Sequence, residues 1–201
     1  MLKYPVRTVS AACLMISMIL KAITALGLPV AVLLSGGWIL SRVSGLGSVV
    51  NQLTQAGHTV PTALNRRWFG YGTREVQVYW HALQESGRRA EKTSLQLDLA
   101  FPFLYGGTLA ASLLWAQATV NESFQPMWMV AAIAIVMIAD WTENLIQLGQ
   151  LAHYQDASLG GSRLQSAWIR VASCATVIKL WLSCGVYASL VGLVFKIVLT
   201  G

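Results

Sequence analysis

Apolar residues run along this chain in long blocks, and the blocks have the length of bilayer crossings. A hydrocarbon core of about 30 Å takes about 20 apolar helical residues, and the stretches 11–40, 98–118, 127–147 and 171–195 supply them, with Lys196 closing the last. The first stretch carries Lys21 and is interrupted by Gly27 and Pro29. It exceeds one perpendicular span, so tilt, a kink at Pro29 or an interfacial start is expected. Lys3 and Arg7 before it imitate a signal peptide, but the run is too long and lacks a clean A-x-A cleavage site. The second stretch opens on Asp98, with Pro102 in its first turns, where a missing N–H costs least.

Between the first two stretches lies a segment too rich in Gly, Arg, Gln and Thr to cross a membrane. The pattern therefore predicts an all-α integral membrane protein, a four-transmembrane-helix bundle with an amphipathic insert. Its parts are an N-terminal transmembrane helix (1–40), the insert (41–97) and a three-span bundle (98–201). Within the insert, Thr73 is placed to cap a helix whose Val76, Tyr79, Trp80 and Leu83 share one face at i, i+3, i+4 and i+7. Such a face needs either the membrane surface or the span bundle as partner, and packing on its own protein is the simpler expectation.

Charge orients this arrangement. Residues 117–125 carry Glu122 and no Lys or Arg, whereas Arg88, Arg89 and Lys92 precede the second span and Arg163 and Arg170 the fourth. The positive-inside rule then puts the insert and the loop 149–170 in the cytoplasm. The N-terminus, with Lys3 and Arg7, falls outside, against the same rule. Over 201 residues, 55% hydrophobic and 11% charged, against about 25% charged in soluble domains, the composition excludes most soluble enzymes. The net charge of +6 flanks apolar segments, so it implies the lipid bilayer as partner and not nucleic acid. Cys13, Cys174 and Cys184 are odd in number and lie in apolar runs, so they are expected to be packing residues without a disulfide framework.

Polar residues inside the spans carry the candidate chemistry, since each charge costs about 2.5–3.5 kcal/mol at a helix centre on insertion scales. Asp140, Glu143, Asn144 and Gln147 fall at i, i+3, i+4 and i+7 on one helix face. Asp98, Tyr105 and Ser112 form a second stripe, and Thr176, Lys179 and Ser183 a third. At 1.5 Å per residue, Asp140 lies roughly 10 Å from the inner end of its span and Lys179 roughly 12 Å into the next from the same side. The two should therefore meet, with Tyr105 at their depth and Asp98 nearer the mouth. The expected site is a cytoplasm-facing cluster of Asp98, Tyr105, Asp140, Glu143, Asn144 and Lys179. It can serve as a register-fixing buried pair, as an ion, proton or substrate path, or as an acid–base pocket. Three acids against one lysine call for a proton, a cation, an arginine such as Arg88 or Arg170, or a polar headgroup.

Several residues between Phe69 and Lys179 form a recognisable set. These are Tyr71-Gly-Thr73 opening a helix, Leu83-Gln-Glu-Ser-Gly87-Arg88 closing it, Leu97-Asp98-x-x-Phe101-Pro102-x-x-Tyr105-Gly106 starting a span, Asp140-x-x-Glu143-Asn144 ending the next, and Lys179 in the last. In these elements the chain resembles a family of small polytopic bacterial integral membrane proteins of unassigned activity. The resemblance implies a four-span bundle in the bacterial inner membrane with a polar cluster on its cytoplasmic side. Family members place an aromatic three residues after the arginine of the Gly-Arg pair; here that position is Glu91, so a ring contact should be missing.

Other motifs add little. No histidine pair has zinc-protease spacing, and no cofactor is implied by motif; His153, near a membrane edge, is a weak candidate ligand for a haem or chlorin. Ser35-Gly-Gly and Ser44-Gly-Leu-Gly47 lack the setting of a nucleotide loop. Gly106, Gly107, Ala110, Ala111 and Gly185 are expected to let helices approach closely. Asp156 and Arg163 flank Gly160-Gly161 in what reads as a solvated loop. The functional expectation is a non-catalytic membrane subunit or assembly partner of other membrane proteins. Its alternatives are a small-molecule, ion or lipid carrier and an intramembrane enzyme, both using the polar cluster.

Overall fold

The computed structural model describes residues 6–120, 127–154 and 164–200; Glu122, Asp156, Gly160, Gly161 and Arg163 lie outside them. The regular elements among the described residues are all helical. In chain order they are α1 (Val6–Ser44), α2 (Leu46–Gln55), a 3-10 turn (Leu64–Arg66), α3 (Thr73–Ala82), α4 (Gln84–Asp98), α5 (Phe101–Val120), α6 (Met127–His153) and α7 (Ser166–Thr200). Four helical stretches are long and apolar enough to cross a membrane: Leu26–Ser44, Gln84–Ala118, Met127–His153 and Ser166–Ile197. The four-span pattern is thus matched by helices, and α1, α6 and α7 run past their apolar blocks.

The joints explain the differences in length. α1 continues through Pro29 as one helix of 39 residues and ends at Gly45, whose φ of +71° favours a residue without Cβ. α7 continues through Lys196 to Thr200, so that lysine does not close the span. α4 and α5 are separated by Leu99 and Ala100 alone, so the second span is entered from a helix and not from a loop. Pro102 is the second residue of α5, where it withholds the N–H that would have reached the Asp98 carbonyl and so permits the bend. Trp141 Nε1 donates to the Leu99 carbonyl at 2.8 Å, tying that bend to α6.

The cap of α3 is Gly72 and not Thr73. Thr73 is already helical, while Gly72 is extended and gives its N–H to Glu75 Oε2 at 2.9 Å. Leu83-Gln-Glu-Ser-Gly87-Arg88 does not close α3 but turns the chain into α4, with Gln84 at φ +55°. Gly87 then lets α4 pass close to Leu83.

Packing gathers into two main apolar cores. One joins α5, α6 and α7 through Leu109, Leu113, Met129, Ile133, Val186 and Leu190. The other seats Val76, Tyr79, Trp80 and Leu83 of α3 with Leu64 against Ile169 and Ala172 of α7. The amphipathic face of the insert is therefore covered by its own protein, and burying Trp80 and Leu83 completely is worth about 1.5–3 kcal/mol for each side chain of this size. A small third group, Phe101, Tyr105 and Val136, lies beside Val32, Leu40 and Leu182. There the Phe101 ring occupies the space a side chain at Gly36 would need, and Gly106 likewise admits Met137. Gly107 and Gly185 meet nothing within 4 Å, so of the small residues expected at helix contacts they serve no close approach. Cys174 and Cys184 are exposed, on the outer side of α7 and not in its packing.

Candidate functional site

The α6 stripe forms the floor of the site. Asp140, Glu143, Asn144 and Gln147 are all buried, because their common face is the one α6 turns toward its neighbours. Lys179 of α7 bridges the two acids, with Nζ 2.8 Å from Asp140 Oδ1 and 2.5 Å from Glu143 Oε2. Tyr105 of α5 donates its hydroxyl to Asp140 Oδ2 at 3.0 Å. Gln147 Nε2 donates to Glu143 Oε1 and to the Tyr71 hydroxyl, each at 3.0 Å. Every carboxylate oxygen of the bridged pair therefore has a donor, which is what keeps two acids and a lysine affordable away from water.

Asp98 joins from the end of α4, its Oδ2 accepting from Asn144 Nδ2 at 3.2 Å. All six residues expected to form the cluster are thus brought together, with Asp98 half-buried at its edge and the Asp140–Lys179 pair level across α6 and α7. Neither arginine suggested as a counter-charge enters. Arg88 Nη1 donates to the Trp80 carbonyl at 3.0 Å and lies over the Tyr154 ring, while Arg170 is exposed. His153 is exposed at the last residue of α6.

Three participants lay outside the expected set. Tyr71, just before α3, reaches the cluster through Gln147, and burial first, then the Glu143 carboxylate, pushes its phenol up to about 12. Gln147 belongs to the predicted stripe, yet its role as the link to the insert needs Tyr71, 76 residues away. The third is Glu91. Where the resemblance anticipates a ring, its carboxylate is buried and accepts from the Tyr79 hydroxyl at 3.2 Å. Burial and this carboxylate raise the Tyr79 phenol above its ordinary range. Glu91 and Asp98 lie seven residues apart on one α4 face, a spacing that could have flagged the pair.

The α6 side of the cluster is buried. Glu143, Asn144 and Thr176 are 0% exposed and Asp140 and Gln147 4%. The apolar cores lie on either side, and a cavity of about 10 Å³ beneath Tyr71 and Gln147 has room for about one water. Among the described residues the acids Glu91, Asp98, Asp140 and Glu143 face one buried lysine, and Asn144 Oδ1 is buried without a hydrogen-bond donor. No group of His, Cys, Asp and Glu among the described residues is placed to hold a metal ion. Set beside family models, curated proteins and solved structures, the chain finds no match.

Proposed function

We propose that this protein is a non-catalytic integral membrane subunit or assembly partner of a larger membrane complex. In this reading it crosses the bacterial inner membrane four times, with residues 41–97 and 149–170 in the cytoplasm. The observation that carries the reading is the mutual satisfaction of the polar cluster: Lys179, Asp140, Glu143 and Tyr105 satisfy one another, and Glu143 and Asn144 are fully buried. Such a cluster fixes helix register, and the working surface is then the outside of the bundle. There the chain covers little of its own apolar area. The share of buried residues is 6% in the α1 window and 17% in the α7 window, against 44% in each of the other two.

Photo-crosslinkers at Leu34 of α1 and Phe195 of α7, 68% and 64% exposed, test the reading in native membranes. The expected result is a discrete crosslinked protein of constant mass from at least one position, and a complex larger than the monomer in mild detergent. A stable monomer with no crosslink from either helix overturns it.

A specific feature favours a second reading, a proton or cation carrier. Glu91 and Asp98 lack a basic partner among the described residues, and the Asn144 acceptor is idle. In sealed vesicles, Asp98→Asn and Glu91→Gln should then abolish proton or cation uptake while leaving the fold intact; uptake unchanged in both variants removes this alternative.

A further inference from the structure

The residues 66–70 form a fixed turn that points outward. Arg67 Nε and Nη2 donate to the Thr62 carbonyl at 3.2 and 3.1 Å, and Gly70 N–H returns to the Arg67 carbonyl at 3.0 Å. Gly70 holds φ +81°, and the next amide, Tyr71 N–H, donates to Ser173 Oγ of α7 at 2.7 Å. Trp181 of α7 gives its indole N–H to the Trp68 carbonyl at 3.3 Å, and the two rings meet edge to face at 5.7 Å. The turn is thus clamped on both sides, yet its tip, Phe69, is 93% exposed. An apolar ring in that position is held away from the protein by the backbone around it.

The height of this turn on the bundle follows from the packing. Phe101 packs at Gly36 of α1 and beside Leu40 and Leu182, which sets α1, α5 and α7 level at these residues. Trp38, Phe103 and Trp181 lie within two positions of them and are 62%, 61% and 55% exposed. Phe103 meets Trp141 in a tilted contact with ring centroids 4.7 Å apart, and Trp181 carries Trp68. Exposed aromatics consequently ring the bundle at one level, as they do at a membrane interface. Basic groups stand with them. The Arg42 guanidinium lies 5.4 Å from the Trp38 ring, and Arg66 and Arg74 are exposed. None of Arg42, Arg66 and Arg74 makes an ion pair with another described residue. The nearby acid, Glu75, is engaged at Gly72.

We infer that the 66–70 turn is a lipid anchor, with Phe69 and Trp68 entering the interfacial layer of the bilayer and Arg66 and Arg74 binding the phosphates of anionic phospholipids. The chemistry is that of guanidinium on phosphate beside an amphipathic ring. The inference rests on membrane insertion as proposed above. It also places Asp140, Glu143 and Lys179 at the level of the interface, since Trp141 and Trp181 are one and two residues from Asp140 and Lys179. Charge there is far cheaper than at mid-membrane.

The test uses the full chain with Cys13, Cys174 and Cys184 replaced by Ala, reconstituted in phosphatidylcholine vesicles with and without phosphatidylglycerol. Spin labels at Phe69→Cys and, as reference, Leu34→Cys are read by their accessibility to oxygen and to a water-soluble nickel complex. The expected result is a lipid-like signature at both. Leu34 in lipid with Phe69 in water overturns the anchor alone; both in water overturns membrane insertion with it. A label at position 69 shielded from both reagents would assign the tip to a protein partner and overturn the inference as well. For the phosphate contacts, Arg66→Gln and Arg74→Gln should each lower the retained phosphatidylglycerol-to-phosphatidylcholine ratio in native mass spectra by about fivefold. An unchanged ratio in the double variant overturns the headgroup assignment.

Discussion

Lys179 is the residue on which the buried polar layer balances. It contributes the cationic contacts to Asp140 and Glu143, so Lys179→Met leaves two carboxylates buried against Tyr105 and Gln147 with no positive charge. Removing one partner of a buried pair costs about 3–5 kcal/mol, while replacing all its members by neutral groups of similar size costs far less. Denaturant unfolding in detergent micelles should therefore show a severe loss for Lys179→Met and a recovery of most of it in Lys179→Met/Asp140→Asn/Glu143→Gln. A triple variant as unstable as the single one would mean that hydrogen-bond geometry, and not charge, holds this layer. The members of the pair were legible from spacing, because a helix forces i, i+3 and i+4 onto one face and depth follows from rise per residue. Tyr71 was not, because it reaches its place through the path of the insert, which no period encodes; Glu91 shares an α4 face with Asp98 at a spacing of seven, but its Tyr79 partner also depends on that path.

Element by element, periodicity located the helices and missed their joints. An apolar block marks what must be buried or face lipid, but α1, α6 and α7 run past their blocks because a helix stops only where caps, glycine or proline stop it. Gly45 does this for α1, and the α4–α5 bend depends on Pro102 together with the Trp141 bond, one half of which lies 42 residues away. Gly70 is the joint with the clearest energetic consequence. Alanine there would take the strain of a left-handed φ, about 1–2 kcal/mol, and its Cβ would press on Ser173 Oγ, the acceptor for the Tyr71 amide, putting about another 1 kcal/mol at risk. Gly70→Ala is expected to lower unfolding free energy by about 2–3 kcal/mol by these terms. The control is Gly107→Ala, where nothing lies within 4 Å and helix propensity favours alanine by up to about 1 kcal/mol; it should be neutral or stabilising. Equal losses at both positions would deny the clamp between the turn and α7.

For the whole molecule, in the membrane arrangement proposed above, the distribution of charge is what would set which way the bundle faces. Seven of the fourteen Lys and Arg residues lie in 41–97 and two more, Arg163 and Arg170, precede the last span, whereas Lys3, Arg7 and Lys196 belong to the termini. With four crossings both termini share one side, so the conflict raised by Lys3 and Arg7 is a contest of three charges against nine, and the larger set should prevail. The aromatic level and the outward turn point the same way, since Arg42, Arg66 and Arg74 stand on the insert side of it. In a chain free of its native cysteines, Ser86→Cys, on the exposed surface of α4, should resist a membrane-impermeant maleimide added to intact spheroplasts and react after lysis. Met127→Cys, 70% exposed at the start of α6, should react from outside. The reverse pattern would place the insert outside the cell and make the N-terminal charges the ones that orient the chain.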